Sequence, residues 1–443
     1  MNSTRIAKML LEELKEAGEE AKDLSEMEQR ARGALAEVGE CLMGMWLAEE
    51  AEAYPSEQTT CPHCGGEAGY VRRREGQVIT ALGRVRYRRA YYICGECRQG
   101  HYPLDERLGL RPNAMSAELE RLAGMVGVKM PFGQGSTMLA ELLQVRLSDH
   151  SLDKAARAYG EEVMRMEAEW ETEAEDIDTL LAHRRTVTPP VRLYGALDGG
   201  RVHIRGEAEE ADAWRELKVG AWFEARGCPP KTPDGEWTIR AQNITYYTDI
   251  GDAETFSRLV WAAGCERHAH LARELIFLGD GSRWIWDIVS QLFPKAIQIV
   301  DWFHAVEYLT PIAQVAFSAD EQRHIWIEHV KSDLWNGRLD QVITACQSLV
   351  NPNREDDPAR KAVTYYTNNR HRMDYPTYRA NGYHIGSGTI ESGIKQIAAQ
   401  RMKVTGARWT LDAARQVAKA RAAFLSGLWD ALAARRAHFP CAA

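Results

Sequence analysis

Apolar positions recur along this chain with two periods, and the places where the period changes divide it. Ile6, Leu10 and Leu14 fall on one stripe of an amphipathic helix, and the helical pattern continues through about the first fifty residues. It breaks at Tyr54-Pro55. From Cys61 to Cys97 the period shortens to that of strands. Val78-Ile79-Thr80 and Val85-Arg86-Tyr87 flank a turn at Gly83-Arg84, and Arg86 to Ile93 reads as a partly exposed basic strand. The helical period returns from Ser116 to about Arg184. Leu119, Leu122, Ala123 and Val126 make one face, Leu139, Leu142 and Leu143 another, and Leu152, Ala155 and Ala156 a third. Gly133-Gln134-Gly135-Ser136 and Ser148-Asp149-His150-Ser151 supply turn and N-cap residues between them. Short helices joined by tight turns fit a helix-turn-helix DNA reader and an ordinary helical bundle equally well.

Thr186 to Pro190 is the best linker, and beyond it strands alternate with helices. Val191 to Leu197 predicts a strand ending at Asp198; Val202 to Ile204 and Leu217 to Glu224 predict two more. A helix over Ala253 to Ala262 turns Phe256, Leu259 and Val260 inward. Leu275 to Leu278 is a short buried strand ending at Gly279-Asp280, Trp284 to Phe293 a helix, and Ala296 to Val300 a strand ending at Asp301. The order β-β-β-α-β-α-β is that of an RNase H-like core. From His304 to about Tyr366 the pattern is helical, with Trp326, Leu334, Trp335, Val342 and Leu349 as candidate core. This reads as an insertion before the last core helix, which follows Gly386-Ser387-Gly388-Thr389 and carries Glu391. A final helix from Thr410 to about Arg435 sets Leu411, Val417, Phe424, Leu428 and Leu432 along one side. The expected class is α/β. Residues 1–55 are N-terminal helices, 56–104 a cysteine-bearing strand module and 105–185 a helical region. Residues 186–304 are the first part of the core, 305–380 the helical insertion, and 381–443 the Glu-bearing and C-terminal helices.

Two constellations carry candidate chemistry. Cys61-Pro62-His63-Cys64 and Cys94-Gly95-Glu96-Cys97 are C-x2-C knuckles, each able to point two thiolates at one metal. Together they predict a structural four-sulfur Zn2+ site, a zinc ribbon whose long spacer holds a strand hairpin. His63, inside the first knuckle, reads as a bystander. The second constellation is acidic. Asp198 ends the first strand, Asp280 the fourth, and Glu391 starts the late helix. First and fourth strands are neighbours in an RNase H-like sheet, so two carboxylates and a third from a separate element converge. That is what hard divalent cations such as Mg2+ or Mn2+ require. Taken singly, an Asp before Gly at a strand end is more often a turn residue and Glu391 a solvated helix residue; the agreement of three with the element order lifts the joint reading. Asp301, at the end of the next strand, and His304 are candidate supporting groups.

Charge qualifies the picture. The chain of 443 residues carries a net charge of −8 at a pI of about 6.0, which argues against a nucleic-acid partner. The distribution is uneven, however. Arg72, Arg73, Arg74, Arg84, Arg86, Arg88 and Arg89 crowd one stretch with Glu75 as the single acid, a local patch that suits phosphate. Lys395, Arg401, Lys403 and Arg408 lie near Glu391 in sequence, with Arg370, Arg372 and Arg379 upstream. Trp409 is a candidate for stacking on an unpaired base, against the plainer reading of a buried helix-start Trp. The nine cysteines, an odd number, and the lack of a signal-peptide pattern suggest reduced thiols and a cytoplasmic protein. Cys41, Cys228, Cys265, Cys346 and Cys441 read as packing residues or inert thiols. No apolar run approaches the roughly 18 residues of a membrane span.

Two stretches resemble a known group. Gly279-Asp280-Gly281, Trp284-Ile285-Trp286, Phe293-Pro294-Lys295-Ala296 and Val300-Asp301-Trp302-Phe303-His304 resemble the middle of bacterial insertion-sequence transposases related to Mutator-type elements. Gly386-Ser387-Gly388-Thr389-Ile390-Glu391-Ser392-Gly393, followed by Arg401-Met402-Lys403-Val404-Thr405-Gly406-Ala407-Arg408-Trp409, is similar to the C-terminal signature of the Kra-type insertion-sequence family. The resemblance implies a DDE transposase with an RNase H-like core, two divalent metals and an all-helical insertion between Asp301 and Glu391. Catalysis would rest on Asp198, Asp280 and Glu391, with support from Asp301 and His304. Double-stranded DNA, as element ends and target, would be the partner, held by a homodimer or a larger synaptic assembly. The alternatives are a non-catalytic DNA-binding protein derived from a transposase, and an RNase H-like nuclease that cuts without joining.

Overall fold

The computed structural model describes residues 3–16, 21–54, 57–111, 114–206, 213–228 and 238–438. Pro55 and Cys441 lie outside them. By contacts the chain forms two compact units, residues 1–159 with 429–443 and residues 160–428. The boundary falls inside a long helix, not at the Thr186–Pro190 linker.

The first unit opens with α1 (Ser3–Glu16) and α2 (Leu24–Glu52), the latter capped by the Asp23 side chain accepting from the Glu26 amide. Strands β1 (Gln58–Thr60), β2 (Glu67–Thr80), β3 (Gly83–Cys94) and β4 (Gly100–His101) then pair antiparallel in sequence order. The hairpin turn sits at Ala81-Leu82, ahead of the expected Gly83-Arg84, which open β3 instead. Alternation along β3 turns Val85 and Tyr87 inward, where they meet Leu47 and Ala51 of α2, while Arg84, Arg86 and Arg88 face out. Four helices follow: α3 (Pro103–Leu108), α4 (Ala117–Lys129), α5 (Phe132–Leu143) and α6 (Asp149–Glu175). Leu119, Ala123, Leu139, Leu152 and Ala155 pack together between them. The Ser148 hydroxyl accepts from the Ser151 amide at the start of α6, as its N-cap pattern predicts. Gly133 to Ser136, expected to be a turn, form the first turn of α5. Gly135 is small for packing: a Cβ there would meet Leu152 and Val126 at 2.7 Å.

The second unit holds most of α6 and α7 (Ile177–Thr186), then a five-stranded sheet. Along the chain come β5 (Arg192–Ile204), β6 (Ala213–Cys228), β7 (Thr238–Asp249), α8 (Ala253–Glu266), β8 (Glu274–Gly279), α9 (Arg283–Leu292) and β9 (Ile297–Val300). The sheet order is β7-β6-β5-β8-β9. β5–β6 and β6–β7 are antiparallel, β5–β8 and β8–β9 parallel. Two expectations are corrected here. The strands expected at Val191–Leu197 and Val202–Ile204 are one, because β6 pairs without a break from Tyr194↔Phe223 to Ile204↔Ala213. And β7 was missed: its first half is polar, Asn243 sits at φ +50°, and the ladder shifts register between Trp222 and Glu224. The expected order of elements survived because one strand was counted twice and another omitted.

A helical segment intervenes: α10 (Trp302–Glu307), α11 (Leu309–Ala316), α12 (Asp320–Trp335), α13 (Leu339–Gln347), α14 (Pro358–Asn368) and α15 (Tyr375–Ala380). Of its expected core, Leu334 and Val342 are fully buried, Trp326 and Leu349 half-buried, and Trp335 exposed. Next comes α16 (Gly388–Ile394), which continues through a π turn (Lys395–Ala399) into α17 (Gln400–Met402). The single helix expected from Thr410 to Arg435 is two, α18 (Leu411–Leu425) and α19 (Trp429–His438), parted at Gly427 with φ +74°. α19 belongs to the first unit, where Trp429 stacks on Tyr159 at 4.2 Å.

Candidate functional site

Strand register puts the acids level with one another. β5 and β8 pair in parallel as far as Ala196↔Leu278. Asp198 and Asp280 each come two positions later, so they leave neighbouring strands at one height. β8 and β9 pair as far as Gly279↔Val300, which puts Asp280 and Asp301 one position beyond. Asp198 is not at a strand end, as expected from its Gly-Gly neighbours: β5 runs on past it against β6 alone. Asp198 and Gly200 share one face of β5. A Cβ on Gly200 would meet Ile394 and Ala398 at 3.5 Å, so α16 and its π turn lie over that face. Glu391 sits one turn before Ile394, and the Tyr246 hydroxyl donates to the Thr389 carbonyl at 3.0 Å to hold the helix start.

The electrostatics point to one shared space. Burial pushes the Asp198 carboxyl up to about 6, against the pull of the Gly199 amide; the charges of Asp280 and Glu391 raise it further and His304 lowers it. Asp280 is held locally. Its Oδ1 accepts from the Ser282 amide at 2.7 Å and its Oδ2 from the Ser282 hydroxyl at 2.8 Å. Its carbonyl accepts from the Tyr365 hydroxyl at 2.8 Å. Gly281 must be glycine, since φ is +97° and a Cβ would lie 2.5 Å from the Tyr365 ring.

Asp301 differs. It is fully buried, and its Oδ1 accepts from both the His304 amide (2.8 Å) and His304 Nδ1 (3.0 Å). Its Oδ2 accepts from the Ser387 amide, and the Ser387 hydroxyl donates to Glu391 Oε1. The bond from Asp301 pushes the His304 imidazole up to about 9, leaving Nε2 as the free end of a cation. Among the described residues, the carboxylate and imidazole ligand atoms that come within 4.8 Å of one another are those of Asp301, His304 and Glu391. The set singled out by sequence, Asp198, Asp280 and Glu391, surrounds the same space more loosely.

The second cluster is the four cysteines. Cys61 and Cys97 sulfurs are 3.6 Å apart and Cys64 and Cys94 sulfurs 3.5 Å, and all four lie within 4.8 Å of one another. A tetrahedron with Zn–S of about 2.3 Å has edges of about 3.8 Å, so the set fits zinc. The backbone amide of Cys97 is the main cause holding the Cys94 thiol at about 7. His63 is exposed and outside the cluster. Of the remaining thiols, Cys265 and Cys346 are buried and Cys41 is exposed.

The basic candidates divide. Arg72, Arg84, Arg86 and Arg88 are exposed on the strand module. Arg89 is instead buried, with Nε 2.9 Å from Asp105 and its guanidinium over the Tyr102 ring at 4.0 Å; the pair is close but lacks hydrogen-bond alignment. Arg73 pairs with Glu52 at 2.7 Å, and Arg74 stacks over Tyr91 at 3.9 Å. Near Glu391, Lys395, Lys403 and Arg408 are exposed, but Arg401 is buried over the Trp409 ring at 4.9 Å. Trp409 donates to the Met402 carbonyl at 3.0 Å and is also buried, so neither is available to a base. Arg370 pairs with Asp340, Arg372 lies over Trp286 and Arg379 over Trp335, which employs all three away from the acids.

Sequence reasoning missed Ser387 and Tyr365. Ser387 lay in a Gly-Ser-Gly-Thr run that reads as a helix start, and nothing local says its hydroxyl serves Glu391. Tyr365 acts across a long loop of chain, beyond the reach of any periodicity. A scan against protein-family models finds none that matches the chain, and a search of curated proteins finds no match.

Proposed function

We propose that this chain is a metal-dependent DNA transposase with an RNase H-like core, its helical segment α10–α15 inserted before the Glu-bearing helix. The observation that carries the reading is the level placement of Asp198 and Asp280 on adjacent parallel strands with Glu391 laid over the same face. Asp198, Asp280 and Glu391 would hold Mg2+ or Mn2+, which would activate the attacking water or 3′-hydroxyl and neutralise charge at phosphorus. The chain's own groups do the rest. His304, kept cationic by Asp301, presents Nε2 toward a phosphate oxygen. Asp301 orients Glu391 through Ser387. The exposed arginines of β2 and β3, with Lys395, Lys403 and Arg408, supply phosphate contacts without sequence information. The four cysteines fold the strand module around Zn2+ and take no part in chemistry. Double-stranded element ends and target DNA are the proposed substrates.

The test is metal-dependent nicking and joining of supercoiled plasmid carrying candidate element ends. Wild type, Asp198→Asn, Asp280→Asn and Asp301→Asn are compared, each checked for folding and zinc. We expect the first two substitutions to abolish both products and Asp301→Asn to weaken them. An Asp280→Asn protein that cuts normally sinks the assignment; the reverse pattern moves the second acid to Asp301. Cutting without joining favours a nuclease, and binding without cutting a DNA-binding protein.

A further inference from the structure

Helix α2 has two apolar sides. One carries Leu47 and Ala51 into the core of the strand module beside Val78, Val85 and Tyr87. The opposite side carries Met27, Leu35, Val38, Leu42, Met45 and Trp46, all exposed, from 39% at Val38 to 72% at Met45. Scattered apolar residues on a surface are ordinary, but these are not scattered. Ala31, Leu35, Val38, Leu42 and Met45 follow one another at alternating steps of four and three, the spacing of a coiled-coil seam. The same spacing reaches Glu28 on one side and Glu49 on the other, so charge closes the seam at both ends. α1 lies against α2 and leaves this row uncovered.

The spacing selects the occupant. A row with a 3-4 repeat on a straight helix is complementary to another helix with the same repeat, and a two-fold related copy supplies one residue for residue. With Met27 and Trp46 beside the row, the exposed apolar residues of this side present roughly 650 Å² per copy, most of the roughly 800 Å² that one partner contributes to a standard-size interface. Small residues let the helices approach: Ala31 is in the row and Ala34 beside it. The other face is already fixed to β3, so the helix is presented ready-made. We propose that two copies of this chain pair through α2, with Ala31 to Met45 of each forming a short coiled-coil seam. This is independent of the catalytic reading.

Size-exclusion chromatography with light scattering on the full chain tests it. Wild type at micromolar concentration should have twice the 49.9 kDa chain mass. Leu35→Glu/Leu42→Glu puts four charges into the paired seam and should raise the dimer Kd at least about a hundredfold. Both positions are more than half exposed, so zinc content and far-ultraviolet dichroism should not change. Ile177→Glu, exposed at 71% on another helix, should leave the dimer intact. Cys41 adjoins Leu42 and is exposed, so a flexible bis-maleimide should join two wild-type copies but not Cys41→Ser, with the seam itself untouched. A monomeric wild type, a dimer that survives Leu35→Glu/Leu42→Glu, equal dissociation by Ile177→Glu, or no cross-link through Cys41 each overturns the proposal.

Discussion

Lys419 offers the most direct test of how the second unit is held together. The residue is 5% exposed, and its ammonium donates to Glu167 Oε2 at 2.5 Å and to the Thr248 carbonyl at 2.8 Å, with Asp249 Oδ1 at 3.7 Å. One group thus ties α18 to α6 and β7. Lys419→Met keeps most of the stem and deletes the charge, leaving Glu167 buried without its cation. Removing one partner of a buried pair costs about 3–5 kcal/mol. With a urea m-value of about 3 kcal/mol/M, a loss of about 4 kcal/mol lowers the midpoint by about 1.3 M. Glu167→Met/Lys419→Met removes both charges and should lose only about 1–2 kcal/mol, leaving the double variant about 2–3 kcal/mol more stable than Lys419→Met alone. Acid should relieve the single substitution. Burial raises the Glu167 pKa, Lys419 opposes the rise, and the nearby acids Asp249 and Glu171 add to it. Without Lys419 the folded value climbs further. An acid whose folded pKa exceeds its unfolded one holds more protons when folded, so stability falls as pH rises from the ordinary carboxylate range through the folded value. The Lys419→Met deficit should therefore be small in acid and full at neutral pH. Urea melts followed by tryptophan fluorescence at about pH 5 and about pH 8 read both effects. If single and double variants melt alike at both pH values, Lys419 is not neutralising a buried carboxylate and the reasoning fails.

Other perturbations separate neighbouring roles. Cys94→Ser, or exhaustive chelation, should abolish binding of one Zn2+ per chain, read by metal analysis, and open the strand module to proteolysis between Cys61 and Cys97. Arg86→Ala and Arg88→Ala should each reduce the slope of log K against log salt for duplex DNA by about 1 and leave the thermal midpoint in place. Arg89→Ala should lower that midpoint, because Asp105, whose carboxyl burial already pushes up to about 6, would lose its buried cation. Gly160→Ala should destabilise the second unit by about 2–4 kcal/mol in urea, since the new Cβ would stand 2.1 Å from the Gln416 carbonyl, backbone that has nowhere to go. A Gly160→Ala protein as stable as wild type would show that α6 and α18 can part at no cost.

Much of this organisation was legible because it is local. C-x2-C spacing announces its cluster in four residues, and Ser148 announces the start of α6 in the same way. The short strands β8 and β9 are mostly apolar, each with an acid directly after it, and the helices that follow carry buried residues at helical spacing. What was not legible depends on partners distant in sequence. Asp198-Gly199-Gly200 reads as a turn, yet β6 holds it extended in the ladder, with Ile394 and Ala398 packed over Gly200. Seven arginines in one stretch look alike in sequence. The pleat, Glu52, Tyr91 and Asp105 decide which four remain free for a ligand, and three of those deciding groups lie outside the stretch or on its far side. Arg401 and Trp409 were misjudged for the same reason: their burial follows from how the chain between α17 and α18 folds back on itself, with Arg205 donating to the Trp409 carbonyl at 2.8 Å.

For the proposed metal site, proximity and hydrogen bonding point to different second acids. By distance, Asp301 joins His304 and Glu391 in the tightest group of ligand atoms. Yet both its oxygens are engaged, one by two His304 donors and the other by the Ser387 amide, and no part of it reaches solvent. A cation at Asp301 would have to displace backbone amides that no water could then satisfy. Among the described residues the Asp280 carboxylate is engaged only by Ser282, one bond of which is to a hydroxyl that can rotate, and the residue is half-exposed. It can turn to a metal without breaking the fold. On the proposed reading Asp301 orients His304 and, through Ser387, Glu391, while Asp198 and Asp280 are the carboxylates that would hold a metal. An asparagine at 301 would bring an amide N–H2 against either the His304 or the Ser387 donors, so its effect on cutting should come with a displaced Glu391 and a loss of stability of about 2–3 kcal/mol. An asparagine at 280 should cost activity with little loss of stability.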